Sequence, residues 1–398
     1  MKILMGWELG AGLGHVNRLK VIADRLREDG AEITVVLQDF ARADIFMAAG
    51  YPVLPGPHWP MPTNPEIRKI PTNNFADVLK IIGLSVETAL QARVTAWQTL
   101  LTITGADLAV GDFSPALNLA ARGRVPLVTV GNGYMTPPPG RPLPPIRPWM
   151  KETDLPATSR QAEADLLAVV NRVASAKQSG DVPFLADIFS GDRAFVVTVA
   201  AADPYNAYRH DALSTPFNMP AGIVPKPLAQ RRDEGVFLYL PSRHPDITKI
   251  VEGLQRSSLD CDVFISDLPD STAQSLQGAR FRVHSKPLSF AEILPSVRLV
   301  VHYAGLSTAI AAAKAGTPQL IAPWNLEHAV TARGIINAVG GHQIMSNWTP
   351  EQISSVAQQM VASEGAQKKA LAGAASFPDG DPVATLDDIA NACKALAG

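Results

Sequence analysis

The chain is poor in cysteine, in charge surplus and in long apolar runs, and each shortage excludes a class of protein. Two cysteines in 398 residues, Cys261 and Cys393, make neither a disulfide framework nor a zinc set. Thirty-five basic against 37 acidic residues leave a formal charge of −2. A nucleic-acid partner would demand a basic excess. No uncharged apolar run approaches the roughly 18 residues a membrane helix needs. The opening MKILMGWELGAG breaks its apolar run at Glu8 and reads as a buried first strand, not a secretion signal. With only 18% charged residues and frequent alanine, the expectation is an ordinary soluble enzyme of the cytoplasm, long enough for two full cores.

The most informative stretch is 299–334, LVVHYAGLSTAIAAAKAGTPQLIAPWNLEHAVTARG. It reads as strand, tight turn, helix, strand, then a polar loop opening a second helix. Gly305 permits the turn, Ala309 to Ala315 are mostly strong helix formers, and Gly316 and Pro318 end the helix. Ser307 and Thr308 offer hydroxyls and N–H groups where it starts, and a helix start carries unpaired N–H groups and the positive end of the dipole, a ready anion site.

A second glycine-rich loop follows the first strand, 2–7. Gly10, Gly12 and Gly14 precede a helix whose apolar face holds Leu19, Ile22, Ala23 and Leu26, and ITVVL at 33–37 is the next strand. A dinucleotide fingerprint would place a third glycine where His15 stands, which disfavours a dehydrogenase. A further strand, 108–110, leads into Gly111-Asp112, then a helix and the strand PLVTV. Asp112 thus lies at a strand's carboxyl end, where open α/β sheets build sites, although an aspartate there also suits a helix cap.

Segment 299–334 resembles the donor-nucleotide motif of the family 1 GT-B glycosyltransferases: His-Gly-Gly-x-x-Thr, a helix, Gly-x-Pro, then Pro-x-x-x-Asp-Gln. Anchored on Gly316-Thr317-Pro318, Thr308 and Gly305 fall on the motif, Pro323 on its proline, and Glu327-His328 on Asp-Gln. Tyr303, not His302, falls on the diphosphate-contacting histidine; His302 matches the first of two successive histidines in some antibiotic-type members. Ala304 replaces the first glycine, and Ala311 a ribose-binding glutamate. The loop GLGHVNR resembles the family's Gly-His-x-x-Pro opening, with Arg18 where proline is usual.

The resemblance implies an α/β GT-B protein: two Rossmann-like parallel-sheet domains facing each other across a cleft, with a C-terminal helix crossing back to the first. The expected limits are 1–215 for the acceptor domain, 216–228 for the linker, 229–378 for the nucleotide-sugar domain and 379–398 for the returning helix. It implies His15 as general base supported by Asp112. Ser242, Arg243, His302, Tyr303, Gly305, Ser307 and Thr308 would meet the donor diphosphate, and Trp324, Glu327 and His328 the donor sugar. Gly12, Trp59, Phe75, Tyr134 and Trp149 would line the acceptor site, the aromatics coming from or beside the proline-rich segments 52–74 and 136–149. Donor and acceptor are then a nucleotide-diphosphate sugar, uridine or thymidine type, and a small-molecule or lipid-like alcohol, with no cofactor and a monomer or homodimer as the working unit. The missing ribose glutamate points toward thymidine diphosphate, whose deoxyribose lacks the 2′-hydroxyl. Two Asp-x-Asp triplets, at 260–262 and 379–381, read as a strand start and a turn rather than metal sites. The rival expectations are a nucleotide-sugar epimerase or hydrolase, and a non-catalytic homologue that binds a partner.

Overall fold

The computed structural model describes every residue except 11, 60–68, 218, 221, 378 and 379. The chain divides into two compact units: Met1–Thr198, Pro204–Asn218 and Asp381–Gly398 form one, and Val199–Asp203 with Met219–Gly380 the other. Each holds one six-stranded sheet, parallel throughout.

The first sheet contains β1 (Lys2–Trp7), β2 (Glu32–Leu37), β3 (Val53–Pro55), β4 (Leu108–Asp112), β5 (Leu127–Gly131) and β6 (Arg193–Val196), in the spatial order β3-β2-β1-β4-β5-β6. The second contains β7 (Gly235–Pro241), β8 (Asp260–Ser266), β9 (Phe281–Val283), β10 (Leu299–His302), β11 (Gln319–Ile321) and β12 (His342–Gln343), ordered β12-β11-β10-β7-β8-β9. The two orders are equivalent. In each, the first strand lies beside the fourth, and the order reverses there. Ligands of doubly wound sheets bind outside the carboxyl ends of the strands at that reversal. The central strands are short and continuously apolar because both faces are covered; β4 and β5 are buried at every position.

Strand β3 lies inside the proline-rich stretch 52–74. Its proline is tolerated because β3 is the edge strand. The stretch meets the other proline-rich segment directly: Ile146 N–H donates to Asn73 O at 2.8 Å, and Glu163, buried under both, accepts from Leu143 N–H at 2.7 Å. Part of 52–74, residues 60–68, lies outside the described residues.

The final helix, Pro382–Ala397, belongs to the first unit. Ile389 and Cys393 join the apolar cluster that includes Leu19 and Ile22, and Arg25 pairs with Asp387 at 2.8 Å. Its start is capped by the Asp381 carboxylate, which accepts from the N–H groups of Val383 and Ala384; Asp379, of the second triplet, lies outside the described residues. Asp260 and Asp262 are paired with Arg232, Arg282 and, for Asp262, His284, at the amino end of β8. Gly334 is required by close approach within the second unit: a Cβ there would stand 1.8 Å from Ala201 O.

Candidate active site

Strands β1 and β4 are neighbours, and their last residues, Trp7 and Asp112, are paired in register. The helix Leu13–Glu28 starts six residues after β1 ends, so its first turn stands over the same edge. His15 is in that turn. Its Nδ1 lies 2.9 Å from Asp112 Oδ1, with His15 3% and Asp112 0% exposed. An ionised carboxylate only accepts, so Nδ1 carries the hydrogen and Nε2 is left with the lone pair. The imidazole is sandwiched between Trp7 (ring centroids 5.0 Å apart, 14° between planes) and Phe113 (6.4 Å, 12°). Phe113 holds this position with φ +48°, a strained conformation for a non-glycine residue. Nε2 faces the backbone of Gly10, where an added Cβ would approach to 2.6 Å.

Arg18, which the sequence places in the motif's proline position without a role, lies one turn after His15 on the same helix face. Its Nη1 donates to both carboxylate oxygens of Asp112, at 3.0 and 2.9 Å. Burial by itself raises the Asp112 carboxyl; the charges of Arg18 and His15 and their hydrogen bonds outweigh it and hold the group below the usual carboxylate value. The spacing i, i+3 from His15 was the available signal, because such residues share a face.

Of the aromatic residues expected near an acceptor, Phe75 and Tyr134 are brought together, edge to face at 5.7 Å, in a cluster that also holds Phe113 and Phe189. Phe113 joins that cluster to His15. Trp59 is placed on other partners: its indole N–H donates to Ile82 O, and the Arg93 guanidinium lies 4.2 Å over its ring. Trp149 is exposed on its own loop, and Gly12 caps the helix Leu13–Glu28 at φ +100°. A depression of about 380 Å³ also exists in this unit, lined by Lys2, Arg27 and Tyr51 among others. It sits at the amino ends of β1 and β2, the opposite edge from His15, and holds none of the residues above.

In the second unit the reversal falls between β7 and β10, where Tyr239 and His302 are paired in register. The loop after β10 opens the helix Leu306–Lys314. Gly305 is its N-cap, no side chain caps it, and its first turn carries no acid. Its leading N–H groups, those of Ser307 and Thr308 among them, therefore have no side-chain cap and no acidic neighbour in the turn. The Tyr303 phenol lies over this turn: a Cβ on Gly305 would stand 2.9 Å from the phenol oxygen. Burial pushes the phenol up to about 12, which keeps it a neutral hydrogen-bond donor. Ala304 supports the turn at φ +69°.

His302 is placed differently from the expectation of a diphosphate contact. It is fully buried, its Nδ1 accepts from Ala304 N–H at 3.1 Å, and its Nε2 lies 2.8 Å from Gln319 Oε1. Both nitrogens are used inside the unit, so this histidine braces the turn instead of facing a ligand. Ala311 likewise packs into an apolar cluster with Phe237 and Val300, facing the sheet. Ser242 is half-buried after β7, and exposed Arg243 extends over Trp324, 5.7 Å from its ring. Trp324 stacks on His244 (5.3 Å, 3°) and on His328 (5.9 Å, 18°), and Tyr303 meets His328 edge-on at 5.0 Å. The helix Leu326–Val339 is capped by Asn325, whose side chain accepts from His328 N–H; Glu327 stands in its first turn. His244, unassigned in the sequence, is locked by Ala322 O and Asp246 N–H. Among the described residues, no group of three His, Cys, Asp or Glu is placed to hold a metal ion, and no helix is long and apolar enough to cross a membrane.

Burial lowers His302 to about 4 and His328 to about 3, from an ordinary 6.5. The folded state thus binds these protons less readily than the unfolded chain, and the stabilisation is present above 6.5 and drains as pH falls toward 4. Between pH 7 and pH 5, His302 alone is expected to cost about 2 kcal/mol of folding stability. Urea unfolding of wild type and His302→Gln at both pH values checks this; equal pH dependence of the two proteins would refute it.

No family model matches the chain, and no curated protein matches it. Solved structures do. The calicheamicin glycosyltransferase CalG4 superposes with a TM-score of 0.69 at 16% identity, over 100% of this chain and 99% of that one. The glycosyltransferase VinC, solved in complex with DTDP, gives 0.62 at 13% identity over 98% and 100%. The glycosyltransferase SnogD from Streptomyces nogalater gives 0.59 at 15% identity over 98% and 99%. At these identities the likeness is one of architecture, and it runs the whole length of each chain. The fold is that of the GT-B glycosyltransferases.

Proposed function

We propose that this protein is an inverting glycosyltransferase that moves a sugar from a nucleoside-diphosphate donor to an acceptor hydroxyl. The observation that carries this reading is the buried His15–Asp112 pair at the reversal of the first sheet, 2.9 Å apart, with Nε2 as the free lone pair. His15 Nε2 takes the acceptor's hydroxyl proton as its oxygen attacks the anomeric carbon. The bond from that carbon to the diphosphate oxygen breaks, and its electron pair leaves with the diphosphate. Asp112 holds the tautomer and supports the imidazolium.

The second unit supplies the leaving-group half. The uncapped start of helix Leu306–Lys314, the Tyr303 phenol, the hydroxyls of Ser242, Ser307 and Thr308, and the Arg243 cation are suited to developing diphosphate charge. Glu327, His328 and Trp324 are the residues for the donor sugar. No metal is assigned a step, so chelator is expected to leave the rate unchanged. A thymidine diphosphate sugar is the preferred donor and a uridine one the alternative. VinC was solved with DTDP. The acceptor is a small or lipid-like alcohol that meets Tyr134 and Phe113, which pack on the fully buried Phe75, with the cytoplasm as the working compartment.

The test is donor consumption with both nucleotide classes and a panel of acceptor alcohols. One glycoside of inverted anomeric configuration per nucleoside diphosphate released is the expected result. Free sugar or epimerised donor without acceptor would replace this reading by a hydrolase or epimerase. Absence of both turnover and diphosphate binding would leave a non-catalytic protein, which Tyr303 in the histidine position would then explain.

A further inference from the structure

A carboxylate that supports an imidazolium normally has its negative charge to spare. Here it does not. Asp112 accepts Arg18 Nη1 at both oxygens, 3.0 and 2.9 Å, and shares Oδ1 with His15. Asp112 is fully buried and Arg18 only 5% exposed, so little solvent screens the three groups from one another. Arg18 and Asp112 form a neutral pair, and protonating His15 leaves a net positive charge in a buried place. The arrangement is not a well-satisfied structural ion pair either: one Arg18 nitrogen straddles both oxygens, and Arg18 Nε is buried with no described partner. A fork-to-fork pair would use two nitrogens.

We propose that Arg18 is a positioning and tuning residue for the base: it fixes the Asp112 carboxylate and withdraws part of its support from the His15 imidazolium, which widens the pH range over which the base is free. This rests on His15 being the base. Once His15 has taken the proton, the ring keeps uncharged support from two aromatic faces, Trp7 at 5.0 Å and Phe113 at 6.4 Å, a stack an aromatic π-face offers to a cation.

The other groups around the ring do not compete for this role. Phe113 and the Gly10 backbone are uncharged. Glu8, the next residue after β1, turns its carboxylate to Trp97 Nε1 and Ala116 N–H. Farther along the helix of His15, Lys20 pairs with Asp24, and Arg25 with Asp29 and Asp387. Lys394, from the helix packed against it, pairs with Asp29, and Gln38, from the end of β2, donates to Gly10 O.

The experiment compares wild type with Arg18→Met and Arg18→Lys across pH, by two readouts. The first is the acid limb of kcat/KM for transfer; the second is the NMR titration of the His15 ring, which needs no turnover. A nearby like charge moves such groups by about one unit or more. Arg18→Met is therefore expected to move both the acid limb and the ring titration about one unit toward higher pH, and Arg18→Lys to restore the wild-type position. If Arg18→Met folds poorly, Arg18→Gln carries the comparison. An unmoved ring titration in a folded, charge-free variant overturns the proposal. So does Arg18→Lys matching Arg18→Met, since the effect would then be one of shape and not charge. A shifted ring titration in a protein with no transferase activity would uphold the tuning while removing the proposed reaction.

Discussion

Asp112→Asn is expected to lower transfer by about a thousandfold and to cost about 3–5 kcal/mol of folding stability. The two losses have one origin. The fully buried carboxylate serves two donors, His15 Nδ1 at 2.9 Å and Arg18 Nη1 at 2.9 and 3.0 Å. An amide presents one oxygen and turns an NH₂ group toward the other donor. If the oxygen goes to Arg18, the amide faces Nδ1, favours the tautomer with the lone pair on that nitrogen, and takes Nε2 out of use as a base. If it goes to His15, a buried guanidinium is left against N–H groups. The stability loss is measured at pH 7, where the wild-type carboxylate contributes fully. Because its folded value lies below the ordinary 3.8, that contribution is lost only as pH falls below about that value. Guanidinium unfolding and kcat/KM on the same preparation check both; an unchanged unfolding midpoint would mean that Asp112 is not the anchor described.

Gly10→Ala tests access to Nε2. Its Cβ would stand 2.6 Å from Nε2 and 3.3 Å from Phe113, and Gly10 sits at φ +84°. Either the ring is pushed off Asp112 or the loop moves, and a displacement near 1 Å at the reacting atoms costs about a hundredfold. The strained backbone adds about 1–2 kcal/mol of destabilisation. Gly30→Ala separates the two effects. Gly30 has φ +81° and nothing within 4 Å of its added Cβ, so it carries strain without obstruction. The expected result is similar destabilisation in both variants, with a hundredfold fall in kcat/KM only for Gly10→Ala. Equal rates in the two would show that Nε2 does not face the substrate.

How much of this was legible in the sequence depended on whether a feature was local. The strand–turn–helix of 299–314 was readable because its apolar run, turn glycine and alanine helix are consecutive. His15 and Asp112 were readable only through resemblance, since 97 residues separate them and no period links them. Arg18 stood in the proline position of the same motif, but its partner is a strand end that the local pattern does not specify. His302 and Tyr303 show the limit most clearly. Adjacent in sequence, they differ in that His302 is the last residue of β10 and points into the unit, whereas Tyr303 begins the turn and covers it. Composition cannot separate two such neighbours; the strand's end does. The edge strand β3 was hidden by its prolines, and the Phe113 stack by a positive φ that no phenylalanine advertises.

The most direct measurement is single-turnover transfer by wild type and His15→Ala, with one donor and one acceptor that the wild type uses, at equal occupancy by donor. The account predicts that His15→Ala still binds the nucleoside diphosphate with near wild-type affinity, because that half belongs to the second unit, while the transfer step slows by about a thousandfold or more. Transfer at the wild-type rate by His15→Ala would contradict it.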